Sequence, residues 1–211
     1  MTKIKAVIFD MDGVLIDARE WHYEALNKAL SLFGMEISRY DHLVTFDGLP
    51  TRKKLELLSL DRGLPRGLHE FINRIKQQHT MEQIFAKCKP TFYHEYAIAK
   101  LKEEGYKLAV GSNSVRKSVE LMLGRAKILE CFDVVLSNED VKHPKPDPEM
   151  YRVAIERLGV QPGESLVVED NEKGVQAAVA SGAHLMKVDA VHDVNWQSIQ
   201  ARIREVEEGK P

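Results

Sequence analysis

Lys3-Ile4-Lys5-Ala6-Val7-Ile8-Phe9-Asp10-Met11-Asp12-Gly13-Val14-Leu15-Ile16-Asp17 is the stretch around which the rest of the chain is organised. Its apolar run, Ile4 and then Ala6 to Phe9, is too short for an ordinary helix, is rich in β-branched and aromatic residues, and has glycine just beyond it. That pattern reads as a buried parallel strand. Asp10 and Asp12 then stand at its carboxyl end, which is where open α/β sheets bind their ligands. An aspartate is ionised at neutral pH, so it can attack phosphorus without a base to activate it. Asp12 is placed to give a proton to a departing oxygen and later to take one from water. Gly13 lets the backbone turn sharply and a ligand approach closely. Two acids followed by glycine also begin a calcium loop of the EF-hand kind. That loop follows a helix and needs a glutamate at its twelfth position, where this chain has Trp21. A solvated acidic turn is the other reading open to this stretch on its own.

With 211 residues, 44% of them hydrophobic, the chain has material for one large domain or for a core with a smaller insert. Thirty lysines and arginines stand against 32 acids, a net charge of -2, so there is no bulk electrostatic case for binding nucleic acid or an anionic membrane. No apolar run approaches membrane-spanning length, and the amino terminus leads straight into the first strand with no signal-peptide pattern. A cytoplasmic protein is expected. Cys88 and Cys131 lack CxxC spacing and a nearby histidine cluster, which fits buried or incidental thiols in a reducing compartment better than a metal site. With no coiled-coil pattern either, a monomer is the default expectation.

Taken in order, Glu20 to Phe33 has helical spacing closed by Gly34, a second helix starts near Thr51, and a third runs from Leu68 to about Ala86 with an interruption near His79 and Thr80. Nothing in residues 18–88 reads as a strand, so this segment is expected to be a helical insert between residues 1–17 and 89–211. Alternation resumes after Pro90. Helices are expected at Tyr93 to Glu104, after the Gly111 turn, at Pro148 to Leu158 and at Glu172 to Ser181. Strands are expected at Lys107 to Val110, Phe132 to Leu136, Ser165 to Val168 and His184 to Val188. This is the pattern of α/β architecture, a doubly wound parallel sheet. From Trp196 onward the spacing is that of an amphipathic helix with a charged tail.

Each later strand end carries polar residues. Gly111-Ser112-Asn113-Ser114 offers hydroxyls, an amide and the free N–H groups of a helix start, which suits an anion and suits ordinary helix capping equally. Prolines flank Lys145 in Lys142-His143-Pro144-Lys145-Pro146-Asp147-Pro148 and stiffen its setting, although lysines are mostly solvated. Val168 runs into Glu169-Asp170-Asn171, an acid pair or a helix cap. Together the four strand ends supply a nucleophile, a cradle, a cation and an acid pair, the parts that phosphoryl transfer needs. Carboxylates repel phosphate, so a cation is required, and Mg²⁺ with its preference for hard oxygen ligands is the natural one.

These four segments, in this order, resemble the motifs of the haloacid dehalogenase superfamily of phosphohydrolases, and the resemblance covers essentially the whole chain. It implies Asp10 as nucleophile and Mg²⁺ ligand, and Asp12 as general acid and base that also ligates Mg²⁺ through its carbonyl. Ser112 and Lys145 would hold the transferring phosphoryl group, Asp170 would complete the metal site, and Glu169 would bind the metal directly or through water. Gly13 and Asn113 would lie against the substrate. Residues 18–88 look like the small helical cap of the branch that includes β-phosphoglucomutase and many sugar phosphatases, in which the cap selects the substrate.

Within the cap, His22 falls where both mutases and phosphatases of that branch carry histidine, and a hydrogen-bonded structural histidine is the alternative. Arg52, after the Gly48 turn, suits a second anionic or polyol group, or else pairs with a surface acid. Lys53 and Lys54 read as a solvated face. Two features depart from the family pattern. Pro90-Thr91-Phe92-Tyr93-His94-Glu95-Tyr96 stands where many relatives have Pro-Gly-Val. Asn113 stands where the mutases tend to have alanine, which leans toward hydrolysis. The expectation is therefore a Mg²⁺-dependent phosphatase acting on a small phosphomonoester such as a sugar or polyol phosphate, with a phosphomutase as the alternative. A receiver domain fits poorly, since its phosphorylated aspartate lies on the third strand and it has no cap. A non-catalytic phospho-ligand binding protein is disfavoured by the intact catalytic positions.

Overall fold

In the computed structural model, which describes residues 3–209, Ala6–Phe9 forms β1, a strand with no exposed residue. Met1, Thr2, Lys210 and Pro211, at the ends of the expected segments, lie outside the described residues. The chain then builds α1 (Arg19–Ser31), a short turn α2 (Arg39–Asp41) continued as a π-turn over His42–Phe46, α3 (Thr51–Arg62) and α4 (His69–Lys87). Alternation follows through α5 (Phe92–Glu103), β2 (Lys107–Gly111), α6 (Arg116–Arg125), β3 (Val134–Leu136), α7 (Glu149–Leu158), β4 (Ser165–Glu169), α8 (Glu172–Ser181), β5 (His184–Lys187) and α9 (Trp196–Glu207). The chain divides into two compact units, Met1–Asp17 with Lys89–Pro211, and Ala18–Cys88.

In the first unit all strand pairs are parallel and the order is β3-β2-β1-β4-β5. Side chains alternate across a strand, so Ala6 and Ile8 face one side and Val7 and Phe9 the other. On the first side Ala6, Ile8, Ala109 and Val167 join Tyr151, Ala154 and Leu158 of α7 and Ala177 and Ala178 of α8 in one buried cluster. The register sets Phe9 opposite both Val110 and Val168. The residues next in line, Asp10, Gly111 and Glu169, therefore stand side by side at the carboxyl ends of β1, β2 and β4. Connections from β1 lead toward β2 while those from β4 lead toward β5, so the order reverses between β1 and β4. In an open α/β sheet the ligand crevice lies at such a reversal.

In the second unit Leu26, Ala29 and Leu30 of α1, Leu55 and Leu58 of α3 and Ile72 of α4 close a core with Ile37, Phe46 and Leu64. The expected interruption of α4 near Thr80 is absent: the Thr80 hydroxyl donates to the Lys76 carbonyl one turn back at 2.9 Å, so the helix absorbs the polar residue. The strand expected from Phe132 is shorter and begins at Val134, because Leu129–Cys131 tightens into a 3₁₀ turn just before it. Conversely, β4 runs one residue further than expected and takes in Glu169. Among the described residues, no helix is long and apolar enough to cross a membrane.

Candidate active site

Asp10 directly follows β1 and donates its N–H to the Val168 carbonyl at 3.0 Å, which anchors it beside β4. Lys145 Nζ donates to Asp10 Oδ1 and to Glu169 Oε1, both at 2.6 Å. All three side chains are buried, at 5%, 3% and 0% exposure for Asp10, Lys145 and Glu169. Burial lifts the Asp10 carboxyl well above the usual carboxylate range, against the opposing pull of Lys145 and with Glu169, Asp170 and Asp12 adding their repulsion. Burial also disfavours the Lys145 charge, but Asp10 and Glu169 outweigh it and hold the ammonium above the ordinary lysine value. A lysine expected on average to be solvated is thus a buried cation between two carboxylates.

Its placement is built from the main chain outward. Asn113 donates from Nδ2 to the Lys145 carbonyl at 3.2 Å and accepts from the Lys145 N–H at 3.1 Å, so the amide reads the backbone of the lysine segment. Lys142 and His143 donate their N–H groups to the Glu149 carboxylate at the start of α7, at 2.9 and 2.8 Å. The proline-rich segment is therefore pinned from two sides, and its Lys145-Pro146 bond is cis.

Ser112 is fully buried after β2, its N–H on the Leu136 carbonyl at 3.0 Å. Its hydroxyl donates to Asp12 Oδ2 at 3.3 Å and accepts from the Ser114 N–H at 3.0 Å, while the Ser114 hydroxyl donates to the same Asp12 oxygen at 2.8 Å. Helix α6 starts only at Arg116, so Ser112 to Ser114 is a loop leading into the helix rather than its first turn. Gly13 has φ of 97°, a left-handed conformation open mainly to glycine, and its N–H bonds the Ile16 carbonyl at 2.7 Å. That turn folds Asp12 back toward the serines.

Carboxylate oxygens of Asp10, Glu169 and Asp170 lie within 4.8 Å of one another. One lysine does not neutralise three acids. The donor set is hard oxygen, without histidine or cysteine, and it fits a small divalent cation. Glu169 Oε1 also accepts from the Tyr151 hydroxyl, and Oε2 from the Asp170 N–H at 3.2 Å. Asn171 accepts from the N–H groups of Lys173 and Gly174 at 3.1 Å and caps α8, so the capping reading of this segment holds for Asn171 beside the acid pair.

In the second unit His22 Nδ1 lies 3.1 Å from Lys76 Nζ, and Gly48 turns the chain with φ of 68°. The Arg52 side chain is 89% exposed, with Nε 3.4 Å from Glu56 Oε1. Lys53 is exposed as expected, but Lys54 is only 7% exposed, on the side of α3 that also buries Leu55 and Leu58. Tyr151 and Ser114 join the cluster through Glu169 and Asp12 without standing out as site residues in the sequence. Lys76, which meets His22 within the second unit, does carry a signal: it shares the four-residue spacing of Ile72, Thr80 and Ile84, so a lysine occupies the buried face of α4. Tyr151 looks like any apolar helix residue, and its contacts with Glu169 and Lys145 are what distinguish it.

Residues 7–188 match the family described as haloacid dehalogenase-like hydrolase. A phosphorylated carbohydrates phosphatase of Thermotoga maritima is 31% identical over 193 residues, 91% of this chain and 88% of that protein. A pyrophosphatase PpaX of Bacillus velezensis is 30% identical over 189 residues, 85% of this chain and 81% of that protein. The fold superposes on a β-phosphoglucomutase from Clostridium difficile with TM-score 0.83 at 21% identity, over 97% of this chain and 99% of that one. It also superposes on CbbY from Rhodobacter sphaeroides in complex with phosphate with TM-score 0.78 at 24% identity, over 87% and 85%. With a sheet reversing at β1 and β4, a buried Asp10–Lys145–Glu169 cluster at that reversal, and relatives matched along most of its length, the chain belongs to the haloacid dehalogenase-like hydrolase family and is a phosphohydrolase.

Proposed function

We propose that this protein is a Mg²⁺-dependent phosphatase that hydrolyses small phosphomonoesters, sugar or polyol phosphates among them, through an aspartyl-phosphate at Asp10. The observation that carries this reading is the Lys145 ammonium bridging Asp10 and Glu169 at 2.6 Å beside Asp170. The name of the Thermotoga maritima relative, a phosphatase of phosphorylated carbohydrates, supports the substrate class.

In this reading an Asp10 carboxylate oxygen bonds to phosphorus as the phosphorus–alkoxide bond breaks, and protonated Asp12 gives its proton to the departing oxygen. Asp12, now a carboxylate, takes a proton from water. The water oxygen then bonds to phosphorus, the Asp10–phosphorus bond breaks, and inorganic phosphate leaves with both aspartates restored. Ser112 and Lys145 hold the phosphoryl oxygens, Asn113 holds the lysine segment, and Gly13 gives the turn its close approach. Asp10, the Asp12 carbonyl, Asp170 and Glu169, directly or through water, would hold Mg²⁺. When bound, the ion offsets the charge of an anionic substrate meeting an anionic nucleophile. Substrate choice is assigned to His22, Gly48 and Arg52, and the working form to a monomer in the cytoplasm.

The test is ³¹P NMR with Mg²⁺ and a panel of hexose, pentose and glycerol phosphates, with and without a trace of hexose bisphosphate. Inorganic phosphate is expected to grow and to stop growing on addition of EDTA or in Asp10→Asn. Full hydrolysis by Asp10→Asn would overturn the covalent route. A resonance that moves between sugar positions only when bisphosphate is present would make the protein a mutase.

A further inference from the structure

The chemistry proposed above has no use for Tyr151, yet this residue touches two members of the cluster. It lies in the first turn of α7, has no solvent exposure, and packs with Ile8, Ala109 and Ala154. Packing alone would be met as well by phenylalanine. A buried phenol must find a partner for its O–H, and here that partner is Glu169 Oε1 rather than any main-chain group. The same oxygen takes the Lys145 ammonium, and Lys145 Nζ stands 4.6 Å from the centre of the Tyr151 ring. Tyr151, Glu169 and Lys145 thus close a triangle whose free corner, the ammonium, reaches Asp10.

We propose that Tyr151 is a positioning residue for phosphoryl transfer: its hydroxyl fixes Glu169, its ring face carries the Lys145 ammonium, and the two together keep the lysine aimed at Asp10. A lysine ends in a flexible four-carbon stem with no orientation of its own. Asn113 sets its backbone, but the ammonium is set only by what surrounds it. Glu169 also lies against Gly174, where a Cβ would fall 1.9 Å from Oε1. The same oxygen thus meets both the Gly174 backbone and the Tyr151 hydroxyl, and removing the hydroxyl takes away one of the contacts that hold it. Small misplacements in such a site lower the rate of the chemical step far more than they lower binding.

This inference rests on the phosphohydrolase reading, and the experiment separates the two. Turnover of p-nitrophenyl phosphate with Mg²⁺ is measured for the wild type, Asp10→Asn, Tyr151→Phe, Tyr151→Leu, Glu169→Gln and the double variant Tyr151→Phe with Glu169→Gln. Thermal midpoints are recorded for each, and orthovanadate affinity by calorimetry gives the same comparison where turnover is too slow. Tyr151→Phe keeps the ring and the fold. It is expected to lower kcat about tenfold with KM changed by less than about twofold, and Tyr151→Leu, which also loses the ring, to lower kcat about a hundredfold. On the Glu169→Gln background the phenylalanine change is expected to alter kcat, or vanadate affinity, by less than about twofold, since a neutral amide no longer anchors the Lys145 ammonium and the hydroxyl's route to the lysine is cut there. A Tyr151→Phe enzyme with wild-type kcat, or an undiminished tenfold loss on the Glu169→Gln background, would overturn the inference while an inactive Asp10→Asn left the phosphohydrolase reading standing. An Asp10→Asn variant as active as the wild type would sink both.

Discussion

A methyl group built on Gly174 would place its carbon 1.9 Å from Glu169 Oε1 and 2.0 Å from Cδ. Glu169 has no exposure and three donors to satisfy, so it has little freedom to move aside. Replacing a helical glycine by alanine ordinarily stabilises by about 1 kcal/mol. Here the sign reverses: Gly174→Ala is expected to destabilise by about 1–3 kcal/mol in urea titrations, the range for overpacking a core, and to lower turnover with it. Asn113 makes the complementary case on the lysine side. Asn113→Ala removes the two bonds to the Lys145 main chain, each a contribution of about 0.5–1.5 kcal/mol, and is expected to lower kcat while leaving thermal unfolding cooperative. The motif containing Asn113 was legible from sequence. That its amide faces the lysine backbone was not, because an asparagine side chain serves a ligand or a neighbouring loop with the same atoms.

The elements themselves were largely legible, since each is defined by local spacing and local punctuation. Helix α8 matches its expectation at both ends because Asn171 caps it and Gly182, with φ of 83°, closes it. Asn171→Ala is expected to cost about 1 kcal/mol of stability, measured by thermal or urea unfolding, because the N–H groups of Lys173 and Gly174 lose their acceptor directly after the acid pair. Differences arose where a local signal met a tertiary one. Thr80 looked like a break but bonds back within α4. Phe132 looked like strand but lies outside the ladder, its ring set edge-on to Phe9 with centroids 6.1 Å apart. Lys54 looked like solvated surface but is buried with Leu55 and Leu58. None of these outcomes is encoded in the few residues on either side.

At the scale of the molecule each unit carries a buried histidine that the fold keeps neutral. In the first unit burial lowers the His94 pKa, against the opposing hydrogen bond to the Val191 carbonyl at 2.9 Å. In the second unit burial and the nearby Lys54 charge lower His42, against Asp47 and Glu20. With both native values depressed, the unfolded chain takes up protons first as pH falls past about 6.5. Stability is therefore full above that pH and is lost as pH falls through it toward the native values. Thermal midpoints are expected to decline from about pH 7.5 to about pH 5.5, and His94→Gln to flatten part of that decline. The sequence by itself determined that an acid-bearing strand opens an α/β alternation, where each element lies, and which residue types stand at the strand ends, because periodicity and turn chemistry are local. Tertiary structure alone decided that Lys145 joins Asp10 across 135 residues, that Glu169 is shared between a lysine and Tyr151, and that the sheet reverses between β1 and β4. Strand order and register bring those side chains together, and both are set by how hydrophobic faces pack over the whole chain.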